Sequence, residues 1–102
     1  MAKYKDNNDR RIRTLDELKE YCEYKDDKSI DDSEVYILVG GCCRSSKYIQ
    51  YYKETGEWWI EHQISDESEE FRDDTALKRG YPILFEAMEK GCLIKYDWGN
   101  NG

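Results

Sequence analysis

VYILVGGCCRSSKYIQYYKETGEWWIEHQI, residues 35–64, is rich in β-branched and aromatic residues. Such side chains pack well on the pleated surface of a sheet and are less favourable in a helix. They fall into three runs, residues 35–39, 48–52 and 58–64, and glycine or polar residues separate the runs. The stretch therefore predicts three antiparallel strands that follow one another in the sheet.

Turn residues divide these strands. Gly40 and Gly41 end or bend the first strand, and the polar residues 44–47 are typical of a loop that closes a hairpin. Between the second and third strands, Gly56 is the residue that reaches positive φ without a steric penalty. The second hairpin is therefore predicted to turn near Gly56.

The register of the second hairpin decides which side chains face the core, because a shift of one residue turns every side chain to the opposite face. A loop with an odd number of residues pairs Tyr52 with Trp58. A loop with an even number of residues pairs Tyr52 with Trp59, and it also pairs Tyr51 with Ile60, Gln50 with Glu61, and Ile49 with His62. The even loop separates apolar from polar side chains better, so we expect it.

The even loop gives the sheet two different faces. The expected core face is mostly aliphatic and carries Val35, Ile37, Val39, Ile49, Tyr51, Trp58, Ile60 and Ile64. The expected second face is partly wet and carries Tyr48, Gln50, Tyr52, Trp59, Glu61 and Gln63.

Two segments outside this stretch predict helices. Thr14 and Glu17 match the pattern of a capping box, and apolar residues at helical spacing follow: Leu15, Leu18, Tyr21 and Cys22. Pro82 suits the first position of a second helix, which Gly91 ends, with an expected buried stripe of Ile83, Leu84, Ala87 and Met88. Residues 75–79 predict a helical turn closed by Gly80, and residues 92–96 predict a fourth strand.

These elements together predict an α+β fold in a single domain. Their order is α-β-β-β-α-β, with an antiparallel sheet of three or four strands and the C-terminal helix packed against its aliphatic face. The chain of 102 residues suffices for one modest core. We expect the domain at residues 14–98, a flexible basic tail at 1–13, a frayed tail at 99–102 and an exposed acidic loop at 66–74.

The sequence has neither a long apolar run nor an apolar segment near its start, so we expect a cytoplasmic protein without a membrane anchor. Four cysteines occur at scattered positions, Cys22, Cys42, Cys43 and Cys92. In the reducing cytoplasm they are expected to remain thiols.

Negative charge is concentrated on either side of the predicted strands. The chain has a formal net charge of −7, with −6 in residues 14–34, −5 in residues 66–74 and 0 in residues 35–65. Two acidic connections near one edge of the sheet would steer a basic partner toward it, whereas nucleic-acid phosphate would be repelled. The pattern favours a protein with a basic surface as the partner. The alternative is that the acidic loops only keep the protein soluble.

Residues with catalytic or metal-binding chemistry do not form a recognisable site in the sequence. His62 is the sole histidine, and the cysteines are too scattered for a zinc site. Residues 40–47 superficially match a phosphate-binding loop, but a strand rather than a helix follows them. We therefore expect no enzyme activity, no metal and no cofactor. The alternative is a small-molecule-binding or catalytic domain with a pocket near Trp58 and His62.

The favoured function is that of a small acidic protein-binding protein: an inhibitor, an immunity factor or a regulatory factor whose carboxylates imitate nucleic-acid phosphate. Tyr36, Tyr52 and Trp59 are the predicted anchors, because tyrosine and tryptophan dominate interface energetics. The predicted steering carboxylates are Glu67, Glu69, Glu70, Asp73 and Asp74. Two alternatives remain: a helix could cover the aromatic residues and make them core, or the chain could form a homodimer through them or through an edge strand.

Overall fold

The computed structural model describes residues 10–26, 33–61 and 67–96. Its helices are α1 (Leu15–Cys22), α2 (Asp74–Gly80) and α3 (Pro82–Lys90). Its strands are β1 (Glu34–Val39), β2 (Cys42–Tyr52), β3 (Glu57–Glu61), β4 (Ser68–Phe71) and β5 (Leu93–Lys95).

The α+β class is confirmed, and the predicted elements occur in the predicted order. The strands form one antiparallel sheet in the order β4-β3-β2-β1-β5, so the sheet has five strands rather than three or four. The extra strand is β4, and the helical turn predicted at residues 75–79 is part of α2. After β4 the chain passes through two helices before β5 joins the sheet beside β1.

The first hairpin turns at the glycine pair. Gly40 and Gly41 have φ angles of 59° and 85°, and the strands meet at the pair Val39 and Cys42. Two consecutive residues with positive φ form the tight turn that matches the twist of a hairpin. Residues 44–47 therefore lie inside β2, and their prediction as the hairpin loop is wrong.

An irregularity in the first hairpin moves one predicted core residue into solvent. Ile37 pairs with Ser45 and Leu38 pairs with Cys43, so Arg44 is an extra residue on β2. Such a bulge bends the strand locally and interrupts its pairing. Val39 lies beyond it and is 46% exposed, so its assignment to the core is wrong.

The second hairpin has the predicted face assignment but not the predicted pairs. Tyr51 lies opposite Trp58 and Ile49 lies opposite Ile60, so the loop is the four residues 53–56. Gly56 has φ 82°, and its N–H donates to the Tyr52 carbonyl over 2.7 Å. The pairs are shifted by two residues from the expected ones, and a shift of two keeps every side chain on its face. Burial patterns alone cannot distinguish these two registers.

The three helices pack against one face of the sheet, which is the predicted core face. Every strand residue in the fully buried cluster comes from that face: Val35, Ile37, Ile49, Trp58, Ile60 and Leu93. The helices contribute Leu18, Cys22, Leu77, Leu84, Ala87 and Met88. Ile83, predicted to be buried, is 43% exposed, because it lies at the margin of α3 beside the exposed Val39. None of the described helices is long and apolar enough to cross a bilayer.

The chain before α1 is part of the domain from residue 10 onward. The Ile12 N–H donates to the Leu93 carbonyl over 2.9 Å, and the Lys95 N–H donates to the Arg10 carbonyl over 2.8 Å. Ile12 is fully buried in the core cluster. The prediction that the tail extends to residue 13 therefore fails at residues 10–12, because their backbone pairs with the outer edge of β5. Residues 1–9 and the tail predicted at 99–102 lie outside the described part of the chain.

The predicted capping box at the start of α1 is confirmed. The Glu17 N–H donates to Thr14 Oγ1 over 3.1 Å, and the Thr14 N–H donates to Glu17 Oε1 over 3.2 Å. The Arg13 N–H also donates to Glu17 Oε1, over 2.7 Å. The two hydrogen bonds that the Glu17 carboxylate accepts, the one from Arg13 most strongly, hold the pKa of Glu17 below its ordinary value of 4.5.

The capping box predicts a specific dependence of stability on pH. Because the pKa of Glu17 is lower in the folded protein, its charge stabilises the fold above pH 4.5, and this stabilisation is lost as pH falls through the lowered pKa. Glu17→Gln keeps the hydrogen-bonding geometry and removes the charge. In urea unfolding between about pH 7 and pH 3, the difference in the free energy of unfolding between wild type and Glu17→Gln should shrink toward the acid end. A difference that stays constant with pH would contradict this role.

Candidate protein-binding face

The face of the sheet opposite the helices carries the predicted aromatic anchors. No strand residue of this face belongs to the core cluster that the other face forms with the described helices. We call it the open face and define it by its regularly paired residues Glu34, Tyr36, Ser46, Tyr48, Gln50, Tyr52, Glu57, Trp59, Glu61, Ser68, Glu70 and Ile94. Trp58 is fully buried on the core face, whereas Trp59 is half-buried on the open face. The predicted alternation of the two indoles is therefore confirmed.

The three predicted anchors are half-buried and lie on three neighbouring strands. Trp59 is opposite Gln50, so Tyr48 and Tyr52 are its diagonal neighbours on β2. Tyr36 on β1 is in turn diagonal to Tyr48. The alternation of the strands thus places Tyr52, Trp59, Tyr48 and Tyr36 in diagonal succession across the sheet, and we call these four residues the aromatic band.

Two further tyrosines extend the aromatic band at its ends. The Tyr24 ring stacks on the Tyr52 ring with a centroid distance of 5.0 Å and an interplanar angle of 20°. At the other end the Tyr36 and Tyr96 rings are 5.4 Å apart. Tyr24 is not among the residues predicted for this surface, because the only local signal at this position is an aromatic side chain. The contact depends on a backbone bond from the Tyr24 N–H to the Tyr51 carbonyl, 2.8 Å, which no local pattern indicates.

The charged residues at the regularly paired strand positions of the open face are all carboxylates: Glu34, Glu57, Glu61 and Glu70. Burial raises the pKa of the Tyr52 hydroxyl, and the neighbouring Tyr24, Glu61, Glu57 and Glu70 raise it further. Three of these carboxylates therefore act electrostatically on one hydroxyl in the aromatic band. Arg11, beside Ile94 at the margin of the face, is turned to the Gly91 carbonyl.

The fourth carboxylate of the open face is enclosed rather than exposed. Glu34 is 5% exposed, and its backbone carbonyl accepts hydrogen bonds from the Tyr21 hydroxyl and the Tyr96 N–H, both over 3.0 Å. Burial raises the pKa of the Tyr36 hydroxyl well above its usual range, and the Glu34 carboxylate and Tyr96 raise it further. Tyr36 therefore stays a neutral phenol that can donate a hydrogen bond.

The acidic run at residues 66–74 is not the exposed loop that its composition predicts. Residues 68–71 form the edge strand β4, and α2 begins at Asp74. An edge strand with charged side chains resists pairing with other chains, so its carboxylates are tolerated there. Residue 66 lies outside the described segments.

Two of the predicted steering carboxylates have structural partners. Asp73 caps α2 and accepts the Ala76 N–H over 2.8 Å. Asp74 accepts the indole N–H of Trp58 over 2.8 Å and forms an ion pair with Lys19, also at 2.8 Å. These contacts hold α2 and α1 to the core face. Asp73 and Asp74 therefore have roles within the fold, whether or not they also steer a partner.

The remaining predicted carboxylates divide between the two faces of the edge strand. Glu67, Glu69 and Glu70 are exposed. Glu70 pairs with Trp59 and belongs to the open face, whereas Glu69 pairs with Ile60 and points to the helical side. The structure therefore brings Glu70 together with the aromatic anchors and separates Glu69 from them.

The alternative ligand pocket near Trp58 and His62 is not supported on the Trp58 side. Trp58 is fully buried and its N–H is occupied by Asp74, so its indole does not line an accessible pocket. His62 lies outside the described part of the chain. All four cysteines are free thiols, and the described residues contain no cluster of three or more histidine, cysteine or acidic side chains able to hold a metal.

Comparisons of the chain with protein-family models, with curated proteins and with solved structures give no match.

Proposed function

We propose that this protein binds another protein through its open face and docks there on a basic surface. The observation that carries the proposal is the composition of this face, where an aromatic band alternates with carboxylates and the regularly paired strand positions that define the face carry no lysine or arginine. Aromatic side chains on a sheet face against which no described helix packs suit a docking site.

The two kinds of side chain would have different tasks. Tyr52 and Trp59 supply large, rigid contact area with polar tips, which is typical of residues that dominate binding free energy. Glu61 and Glu70 flank Trp59 and would pair with lysine or arginine of the partner. The net charge of −7 would accelerate encounter with a basic protein at low salt.

The proposal favours an inhibitor, an immunity factor or a regulatory factor as the biological role. A partner surface that handles nucleic acid is basic, and a row of carboxylates can occupy the place of its phosphates. Binding of nucleic acid by this protein itself is disfavoured, because its open face would repel phosphate. The proposal includes a cytoplasmic location, which the free thiols of all four cysteines support.

The proposal is tested with wild type and two variants as baits, and the two variants differ only in where negative charge is removed. The first is wild type, the second is Glu61→Gln/Glu70→Gln on the open face, and the third is Glu86→Gln/Glu89→Gln on α3. Both variants change the net charge by the same amount, so general electrostatics is held constant. We expect the α3 variant to retain the partner that wild type captures from an extract of the native cell, and the open-face variant to retain about tenfold less of it, which corresponds to roughly 1.4 kcal/mol.

The salt dependence of capture provides a second criterion. Binding to a basic partner should weaken from about 50 to about 300 mM salt, because exposed ion pairs are screened. Quantitative mass spectrometry identifies the retained protein and measures its amount, and its sequence then gives its net charge. Equal retention by all three baits would contradict the proposal, and so would a partner with an acidic surface. If the chain captures chiefly itself, a homodimer through this face replaces the proposed complex.

A further inference from the structure

A cleft opens where the C-terminus of α1 meets the end of the open face. Its volume is about 620 Å³, and its walls include Glu23, Tyr24, Asp26, Tyr52, Lys53 and Glu54. A neighbouring cavity of about 480 Å³ shares Glu23 and Lys53 with it. The cleft is therefore part of a larger concave region at this end of the sheet, and one edge of it is the aromatic band.

The backbone holds the aromatic wall of the cleft in place. Glu23 forms a parallel bridge with Tyr51, and the Tyr24 N–H donates to the Tyr51 carbonyl over 2.8 Å. The Tyr24 ring is consequently stacked on the Tyr52 ring, and Tyr24 is 41% exposed to solvent. A ring held in this way offers a flat π surface without a large entropic cost when a ligand stacks on it.

The electrostatics of this concave region favours a cation. The two cavities together are lined by five carboxylates, those of Asp16, Glu20, Glu23, Asp26 and Glu54. Their cationic lining residues are Lys19, Lys25 and Lys53, and Lys19 is already paired with Asp74. In addition, Glu23 is the C-cap of α1, so the carbonyl groups of the last helical turn place partial negative charge beside the cleft.

The combination of a flat ring with surrounding carboxylates selects among cations. A guanidinium group is planar, stacks on aromatic rings and donates two parallel hydrogen bonds to a carboxylate. An ammonium group is compact, strongly hydrated and makes no planar stack. A neutral aromatic or apolar ligand would leave the carboxylates without partners.

We propose that this cleft receives an arginine side chain of the partner protein, with its guanidinium stacked on Tyr24 and hydrogen-bonded to the carboxylates around Glu23. This inference rests on the proposed function, since it assigns one anchoring side chain to the basic partner. Tyr52 links the two sites, because it stacks on Tyr24 and also belongs to the aromatic band of the open face.

The test uses the tripeptide acetyl-Gly-Arg-Gly-amide and its citrulline counterpart, which has the same shape without the charge. Amide chemical shifts of the full chain are followed in a titration with each peptide. We expect the arginine peptide to shift the amides of residues 23–26 and 52–55 and to bind about tenfold or more tightly than the citrulline peptide. Tyr24→Leu keeps apolar bulk but removes the π surface, and should weaken binding about threefold to tenfold. Glu23→Gln should weaken it similarly, whereas Glu86→Gln on α3 should leave it unchanged.

The outcomes separate this inference from the proposed function. Shifts confined to residues around Trp59 and Glu61 would overturn the arginine cleft and leave the open face as the docking site. Equal binding of the arginine and citrulline peptides, or unchanged binding by Tyr24→Leu, would also overturn it. The bait comparison does not change any residue of the cleft. If the arginine peptide binds the cleft but the open-face variant captures as much partner as wild type, the open face is contradicted as the docking site and the arginine site is retained.

Discussion

Trp58→Ala is expected to lower the free energy of unfolding by about 3–5 kcal/mol. The indole is fully buried, its ring is 4.6 Å from the Tyr51 ring, and its N–H donates to Asp74. The substitution therefore leaves a large cavity and removes the hydrogen bond that ties α2 to the sheet. Small domains are stable by only about 5–15 kcal/mol, so a large part of the total is lost. Urea unfolding followed by far-ultraviolet circular dichroism measures the change.

Trp59→Ala is the matched control for this prediction, since the two tryptophans are adjacent in the chain and chemically identical. Trp59 is half-buried on the open face and outside the core cluster, so its removal should cost about 1 kcal/mol or less. In partner capture the order should be reversed: Trp59→Ala should weaken binding more than Trp58→Ala does in the molecules that remain folded. Equal destabilisation by both would mean that the open face is covered in solution and is not available to a partner.

Ile12→Ala is expected to lower the free energy of unfolding by about 2–5 kcal/mol. Ile12 is fully buried, and its N–H donates to Leu93 at the edge of the sheet. Arg13→Ala is the control, because Arg13 is exposed and its hydrogen bond to Glu17 comes from the backbone N–H, which the substitution keeps. If both residues belonged to a flexible tail, neither substitution would change the free energy of unfolding. An effect of Ile12→Ala within about 0.5 kcal/mol would therefore show that residues 10–12 do not pack on the domain.

The acidic residues show how far charge alone can be used to infer a binding surface. Six carboxylates occur in residues 66–74, and composition treats them as equivalent. In the folded chain Asp73 caps a helix and Asp74 bridges Trp58 and Lys19, whereas Glu70 lies beside Trp59. Carboxylates that are equivalent in composition therefore lie in different surroundings, and of these three only Glu70 lies on the open face.

Local sequence patterns determined those features of this protein that depend on neighbouring residues. The capping box at Thr14 depends on residues three positions apart, and the turns at Gly40 and Gly56 depend on the freedom of glycine at positive φ. The alternation of Trp58 and Trp59 between the two faces follows from the period of a strand. These features could be predicted because the chain carries the whole cause within a few residues.

Tertiary structure alone decided the features that join distant parts of the chain. The two-residue offset in the second hairpin preserves the faces, so no pattern of polarity could reveal it. Ile12 meets Leu93, Tyr24 stacks on Tyr52, and Asp74 accepts from Trp58, each across a long separation in sequence. Such contacts depend on the closing of the whole core, which brings together groups that have no local influence on one another. The amino-acid sequence by itself thus determined the two faces of the sheet, and the packing of the complete domain decided which residues meet on them.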